Sequence, residues 1–447
     1  MNTIIAIKDF LWDYLLVFLL VFSGLYLTIR LGFLQFSKIG RAFKELKNSK
    51  AYTDTPGLVS PREALYTSLA AQIGTGNIAG VAAAIMLGGP GAVFWMWISG
   101  FLGMAIIYSE TVLSVLYREN KDGEYFGGPA YYLSRGIKNK KLGKILATLF
   151  AVFIVIALPF TGNMVQSNSV ASVINSSFNI APVYTGAFIA VLLSFIIIGG
   201  ANRIAKIAAK VVPFMIAMFV IHGAVILLKF SDSLGTVFLS IFKNAFTLNA
   251  AIGGTLGFTL KQAIKHGLAR GLFSNEAGMG STPHANAIAD VDQASKQGLI
   301  SMITVLIDTF LVCTVSALII LVTKANEMPA DNYAGVLQNG FDIALGGSGS
   351  VFYAISVFFF AFSTILGWYY YGESNVMYLF GKDAINYYKI FAIIAVVGGT
   401  IVQVESIYNI SDLLNGFMVI PNIIGILILT NEVVKNKKEY TNLIKHN

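Results

Sequence analysis

Charge is scarce in this chain: Asp, Glu, Lys and Arg make up 12% of its 447 residues, 56% are hydrophobic, and the mean hydropathy is +0.71. Charge that sparse cannot solvate the surface of a soluble protein of this size, which leaves an integral membrane protein with the lipid bilayer as its surroundings. Cysteine is scarcer still. Cys313, alone within an apolar run, excludes an intrachain disulfide framework and any multi-cysteine metal site, and reads as a buried packing residue. Also missing are His-Glu-x-x-His, Gly-x-Ser-x-Gly and Gly-x-x-x-x-Gly-Lys-Ser/Thr, the signatures of a zinc hydrolase, a serine nucleophile and an NTPase. No enzyme, catalytic residue or organic cofactor is therefore expected.

The net charge of +8 does not call for a nucleic-acid partner. The basic residues stand in short segments between apolar runs, where the excess of positive charge on cytoplasmic loops accounts for them. Apolar runs of about 20 residues mark membrane spans. They lie near 11–31, 62–87, 91–117, 144–168, 182–200 and 204–228, then near 258–290, 298–323, 350–380, 386–404 and 411–430. The first follows no signal-peptide pattern and reads as a retained helix. Loop charges place Lys38 to Lys50, Arg118 to Lys141, Arg203 to Lys210 and Lys435 to Lys438 in the cytoplasm, and so the N-terminus outside. Lys261, Lys265 and Arg270 fall on the outer side by this count, either snorkelling to the surface or lining an aqueous vestibule.

Two of these spans are interrupted in the middle, by Gly74-Thr75-Gly76-Asn77 and by Ser274-Asn275-Glu276-Ala277-Gly278-Met279-Gly280. An unwound turn at membrane depth leaves backbone groups without partners, which hydrocarbon tolerates only where they line a cavity or are buried in protein. With the first helix set aside, the breaks fall in helices one and six of ten, a spacing that inverts the second half relative to the first, as in inverted-repeat transporters. The expected architecture is all-α, with about eleven transmembrane helices. Its parts are an N-terminal helix and basic loop (1–61), a five-helix repeat (62–229), an outer loop with short helices (230–257), a second repeat (258–432) and a cytoplasmic tail (433–447).

Several residues carry candidate chemistry. Gln72 to Gly80 supply carbonyls, a hydroxyl and amides, hard oxygen donors suited to Na⁺, and the half-helix beyond the break favours a carboxylate at its N-terminus. Equally, its glycines serve close helix packing and Asn77 an interhelical hydrogen bond. Glu276 reads either as a ligand of an ammonium group or proton, or as a partner for unpaired N–H groups of the unwound segment. Asp308, mid-span, reads as a Na⁺ ligand or as a carboxylate bonded to neighbouring hydroxyls. Ser363 and Thr364 place two hydroxyls in an apolar run, where back-bonding to the helix is the ordinary fate. Trp368, one turn on, walls a pocket or packs in the bundle, and His222 reads as hydrogen-bonded rather than functional.

The runs Gln72 to Val81, Gly88 to Trp97, Gly127 to Tyr132 and Phe273 to Ser281, in this order over nearly the whole chain, resemble the alanine or glycine:cation symporter family. The resemblance implies a leucine-transporter-like fold and Na⁺-driven import of a small neutral amino acid, L-alanine or glycine, by a monomer in a prokaryotic plasma membrane. Carried over by position, Asn77, Gln72 and Asp308 would bind the Na⁺ nearest the substrate. The Ala70 and Ile73 carbonyls with Ser363 and Thr364 would form a second Na⁺ site. The same resemblance places Gln72, Thr75, Gly76, Asn77, Phe273, Ser274, Asn275, Gly278 and Trp368 around the substrate, the Thr75 and Gly76 amides toward its carboxylate and the backbone of Phe273 to Asn275 toward its ammonium. A proton-coupled carrier using Glu276 or Asp308, and less so a channel, are the competing readings.

Overall fold

The computed structural model describes residues 2–49, 53, 55–246, 260–330, 332–402 and 404–446. Among the described residues the fold is all-helical apart from one hairpin, Glu119–Lys121 with Glu124–Phe126. Six helices are long and apolar enough to cross a membrane: Ala92–Leu116, Lys140–Phe178, Gly200–Lys229, Ala294–Val322, Gly347–Phe380 and Ser406–Ile444. A seventh span is Pro61–Gln72 with Thr75–Gly88, bent by 59° at its break. The shorter apolar helices Pro182–Ile197 and Ala384–Gly399 add two more. The N-terminal run Asn2–Phe10, Leu11–Leu16 and Val17–Arg30, and the interrupted Leu260–Asn275 and Pro283–Ala287, complete the expected segments.

Apolar side chains cover both the inside and the outside, because the surrounding solvent is hydrocarbon. On the N-terminal helix Leu16, Leu20 and Leu27 are buried while Phe10, Phe18 and Phe22 are exposed. Its Gly24 permits a close crossing: a Cβ there would lie 2.8 Å from Leu102 Cβ on the Ala92–Leu116 helix. The first broken span starts with a capping box, Ser60 accepting from the Glu63 amide while the Glu63 carboxylate takes the Ser60 N–H, and with Pro61 at the first helical position.

Three stretches differ from the sequence reading. Residues 231–245 form one helix, Ser231–Ala245, where an outer loop with short helices is expected. Residues 247–259, which hold the end of the expected outer loop and the start of the expected second repeat, lie outside the described residues. The Tyr333–Leu345 helix, capped by Asn332 accepting from the Gly335 amide, lies between the expected spans 298–323 and 350–380 and is too short to span. Finally, Val404–His446 continues through the expected tail. Its last turns are held by packing rather than hydrophobicity alone: buried Tyr440 accepts from Arg41 Nε (3.0 Å) and donates to Glu45 (2.6 Å) on the Ile39–Lys47 helix.

Candidate functional site

The first break opens where Ile73 and Gly74 leave helical geometry for extended backbone. The loose Gly74 N–H is taken by Asn77 Oδ1 at 2.9 Å, so the asparagine ties its own turn. The Gly347–Phe380 helix brings Thr364 against the opened turn. Its hydroxyl lies 3.3, 3.2 and 3.2 Å from the carbonyls of Ala70, Ala71 and Ile73, and donates within its own helix to Phe360 O at 3.0 Å. Gly74 is required here, since a Cβ would fall 2.4 Å from Thr364 Oγ1. Ser363, grouped with Thr364 in the sequence reading, has its hydroxyl on Phe360 O (3.0 Å) and Met215 Sδ (3.4 Å). No hydrogen bond joins it to the Ala70 or Ile73 carbonyls, because adjacent helical residues point about 100° apart.

The second break follows Asn275, where Glu276, Gly278 and Gly280 all take positive φ (57°, 84° and 78°), ending the helix. Gln72 links the two breaks, its Nε2 donating to Asn275 O (2.9 Å) and Thr282 Oγ1 (3.0 Å). Both Glu276 oxygens accept: Oε1 from Trp368 Nε1 (2.8 Å), Oε2 from Ser281 (2.6 Å) and Thr282 (3.0 Å). Its partners are side chains of the bundle, whereas the N–H of Gly280 goes to Glu110 Oε1 at 3.2 Å.

Asp308 sits in the π-helical stretch Leu306–Cys313, fully buried. It accepts from Asn77 Nδ2 (2.6 Å), from Ser274 Oγ (3.2 and 3.1 Å to its two oxygens) and from Thr309 Oγ1 (2.9 Å). One carboxylate thus gathers both breaks, and such π-bulges recur at functional sites. Cys313 is buried as expected, but within the site: its Sγ lies 3.3 Å from Asn77 Nδ2 and 3.2 Å from Ser274 Oγ. Asn275 holds the same region, donating to Thr309 Oγ1 at 3.1 Å.

A cavity of about 730 Å³ is lined by Gln72, Thr75, Gly76, Phe273, Ser274, Glu276 and Trp368 among others, while Asn77 and Asn275, expected around the substrate, and Asp308 are not part of its lining. Gln166 also lines it, accepting from the Thr75 amide at 3.3 Å; the sequence signal was a polar residue within a long apolar helix. Toward its mouth lie Arg270, ion-paired to Asp412 at 3.6 Å, and Lys8, and the lining reaches exposed Met328. Of the basic trio expected on this side, Arg270 thus faces the vestibule, while Lys265 pairs with Asp13 of the N-terminal helix at 2.6 Å. Gly278 is not part of the lining; its carbonyl accepts from Asn422 (2.9 Å). His222 bonds Met218 O (2.7 Å).

Around Arg118 and His284 a set of buried hydrogen bonds ties the elements together. His284 sits between Ser281 O (2.7 Å) and Asn375 Nδ2 (2.8 Å). Arg118 donates to Ala287 O (3.0 Å) and Ala289 O (2.6 Å), and residues 59 and 289 form a parallel bridge. Burial lowers the Arg118 pKa from its ordinary value, with Tyr125 and Asp290 pulling the other way.

Comparison with known proteins shows the family. A family model described as the sodium:alanine symporter family matches residues 1–447. The chain is 41% identical over 446 residues to the sodium/alanine symporter AgcS of Methanococcus maripaludis, covering 99% of this chain and 97% of that one. It is 38% identical to the probable sodium/glutamine symporter GlnT of Bacillus subtilis, covering 97% and 89%. Among solved structures, a Na⁺-coupled sialic acid symporter in a substrate-bound outward-open state superimposes with a TM-score of 0.54 at 14% identity, over 89% of this chain and 81% of that one, which bears on the fold alone. This chain belongs to the sodium:alanine symporter family: it is a multi-pass membrane transporter, a Na⁺-coupled amino-acid symporter and not an enzyme.

Proposed function

We propose that the chain imports a small neutral amino acid, alanine or glycine, together with Na⁺ by alternating access. The observation that carries this is the meeting of both helix breaks at one cavity, with oxygen-rich clusters at its edge. Asn77 and Asp308, with Gln72, bind the Na⁺ nearest the substrate, and Gln72 Oε1, buried and without a hydrogen-bond partner, is a free donor oxygen there. The Ala70 and Ile73 carbonyls with Thr364 bind a second, with Ser363 one residue before it. The Thr75 and Gly76 amides meet the substrate carboxylate, the backbone of Phe273 to Asn275 its ammonium group, and Trp368, fixed by Glu276, limits side-chain size.

The N-terminus lies outside and the C-terminus inside, which puts the cavity mouth outside and the Arg118 hydrogen bonds on the cytoplasmic side. Na⁺ orders the two breaks, substrate completes them, and rocking of one helix bundle against the other releases both inward. Each charge moved adds about 2.3 kcal/mol per 100 mV of membrane potential.

The test of substrate class is competition against labelled L-alanine in Na⁺-loaded uptake assays. Unlabelled alanine and glycine are expected to suppress uptake, and glutamine to do so weakly. Strong suppression by glutamine with none by glycine would reassign the substrate.

A further inference from the structure

Glu110 lies toward the C-terminal end of the Ala92–Leu116 helix, fully buried, outside the cavity and with no part in the transport scheme above. Its Oε1 accepts from Asn422 Nδ2 at 2.6 Å and from the Gly280 amide at 3.2 Å, while its Oε2, equally buried, has no hydrogen-bond partner. Asn422 in turn donates to Gly278 O and accepts from the Tyr132 hydroxyl, so this acid is wired to the unwound segment of the second break.

The contrast with two other buried carboxyls, Asp308 and Glu276, is informative. Asp308 and Glu276 each accept on both oxygens, the pattern of an ionised carboxylate. Glu110 uses one oxygen for two donors and leaves the other bare, so a negative charge on it would be compensated at one oxygen only. The groups facing it offer no counter-charge. Glu276 and the Gly278 and Gly280 amides come from the unwound segment, Tyr132 from Pro129–Gly136 and neutral Asn422 from the last helix, and no cation is among them. Four basic residues of the packed helices are engaged elsewhere: Lys265 with Asp13, Arg270 with Asp412, Lys296 with Asp292, and Arg30 with Asn431. An unpaired charge buried there would be far more unfavourable than a neutral carboxyl.

We propose that Glu110 is a proton-binding site, carrying the proton on Oε2 and leaving Oε1 as the acceptor that shapes the 276–280 segment. The step is simple uptake of H⁺ from water by the carboxylate, with no other bond made. It does not depend on which amino acid is transported.

Infrared difference spectra of the full-length protein in lipid, wild type minus Glu110→Gln at pH 7, test it directly. The expected result is loss of a protonated-carboxyl C=O stretch that shifts in D₂O. Loss of the paired carboxylate stretches instead would overturn the proposal. Should Glu110→Gln not fold, Glu110→Asp replaces it: the protonated-carboxyl band then moves, and an unchanged band with shifted carboxylate stretches would refute the site.

Discussion

Asn77 Nδ2 stands 2.6 Å from Asp308 Oδ1, a contact made across 231 residues of chain. The asparagine belongs to the turn that unwinds the first broken helix, and it holds that turn by accepting from Gly74. The aspartate belongs to a π-helical stretch in the span that follows the second break, and Ser274 from that break reaches it too. The pair thus joins both interruptions through a single carboxylate, in a place where every oxygen has a purpose.

Replacing either partner by alanine removes a hard oxygen donor and takes one buried hydrogen bond from the other. Loss of such a partner is worth ~1–3 kcal/mol, and ~1.4 kcal/mol is tenfold in affinity. Asn77→Ala and Asp308→Ala are therefore each expected to raise the Na⁺ needed for half-maximal uptake by about tenfold or more. Unchanged Na⁺ dependence in both variants would refute the assignment.

Thr364 and Ser363 separate cleanly. Only the Thr364 hydroxyl reaches the Ala70 and Ile73 carbonyls. Thr364→Val is expected to weaken Na⁺ activation about tenfold, in line with the loss of one ~1.4 kcal/mol interaction, with Thr364→Ser restoring most of it. Ser363→Ala should have a smaller effect, and a Na⁺-activation curve for Ser363→Ala as shifted as that for Thr364→Val would contradict the arrangement.

Gly76 gives a test of pocket size. A Cβ there would lie 3.8 Å from Ser274 Cα and 3.9 Å from Phe273 Cδ1, ordinary contact distances, so Gly76→Ala is expected to fold. The added methyl takes space beside the cavity, and relative uptake should move from alanine toward glycine by several-fold, the worth of one methylene being ~1–3 kcal/mol. An unchanged alanine-to-glycine ratio would place the substrate elsewhere.

Gly162 carries the complementary case. Its Cβ would meet Trp368 Cβ at 2.5 Å, so Gly162→Ala must displace the indole that donates to Glu276. The expectation is a higher KM for the amino acid with the Na⁺ requirement little changed, measured by uptake at saturating Na⁺. A change confined to the Na⁺ requirement would contradict the role given to Trp368.

The breaks were legible in the sequence because glycine and polar residues inside apolar runs are a local signal, and the site residues flanking them follow from it. What was not legible depended on contacts between distant elements. Gln166 and Cys313 reach the site only because the Lys140–Phe178 and Ala294–Val322 spans carry them there. Glu110 carried a readable signal, an ionisable residue in an apolar helix, yet its partners Gly280 and Asn422 lie 170 and 312 residues away. The Ser363 placement depends on helix phase, which shows only when the helix is docked. The Tyr333–Leu345 and 433–446 helices were missed because packing, not length or hydropathy, sustains them.

The central claim is coupling of amino-acid import to Na⁺, and proteoliposomes of the purified protein test it most directly. Radiolabelled L-alanine uptake is measured under an inward Na⁺ gradient and, separately, under an equal K⁺ gradient. Accumulation above equilibrium with Na⁺ and none with K⁺ is the predicted result; equal accumulation under both gradients would contradict the account.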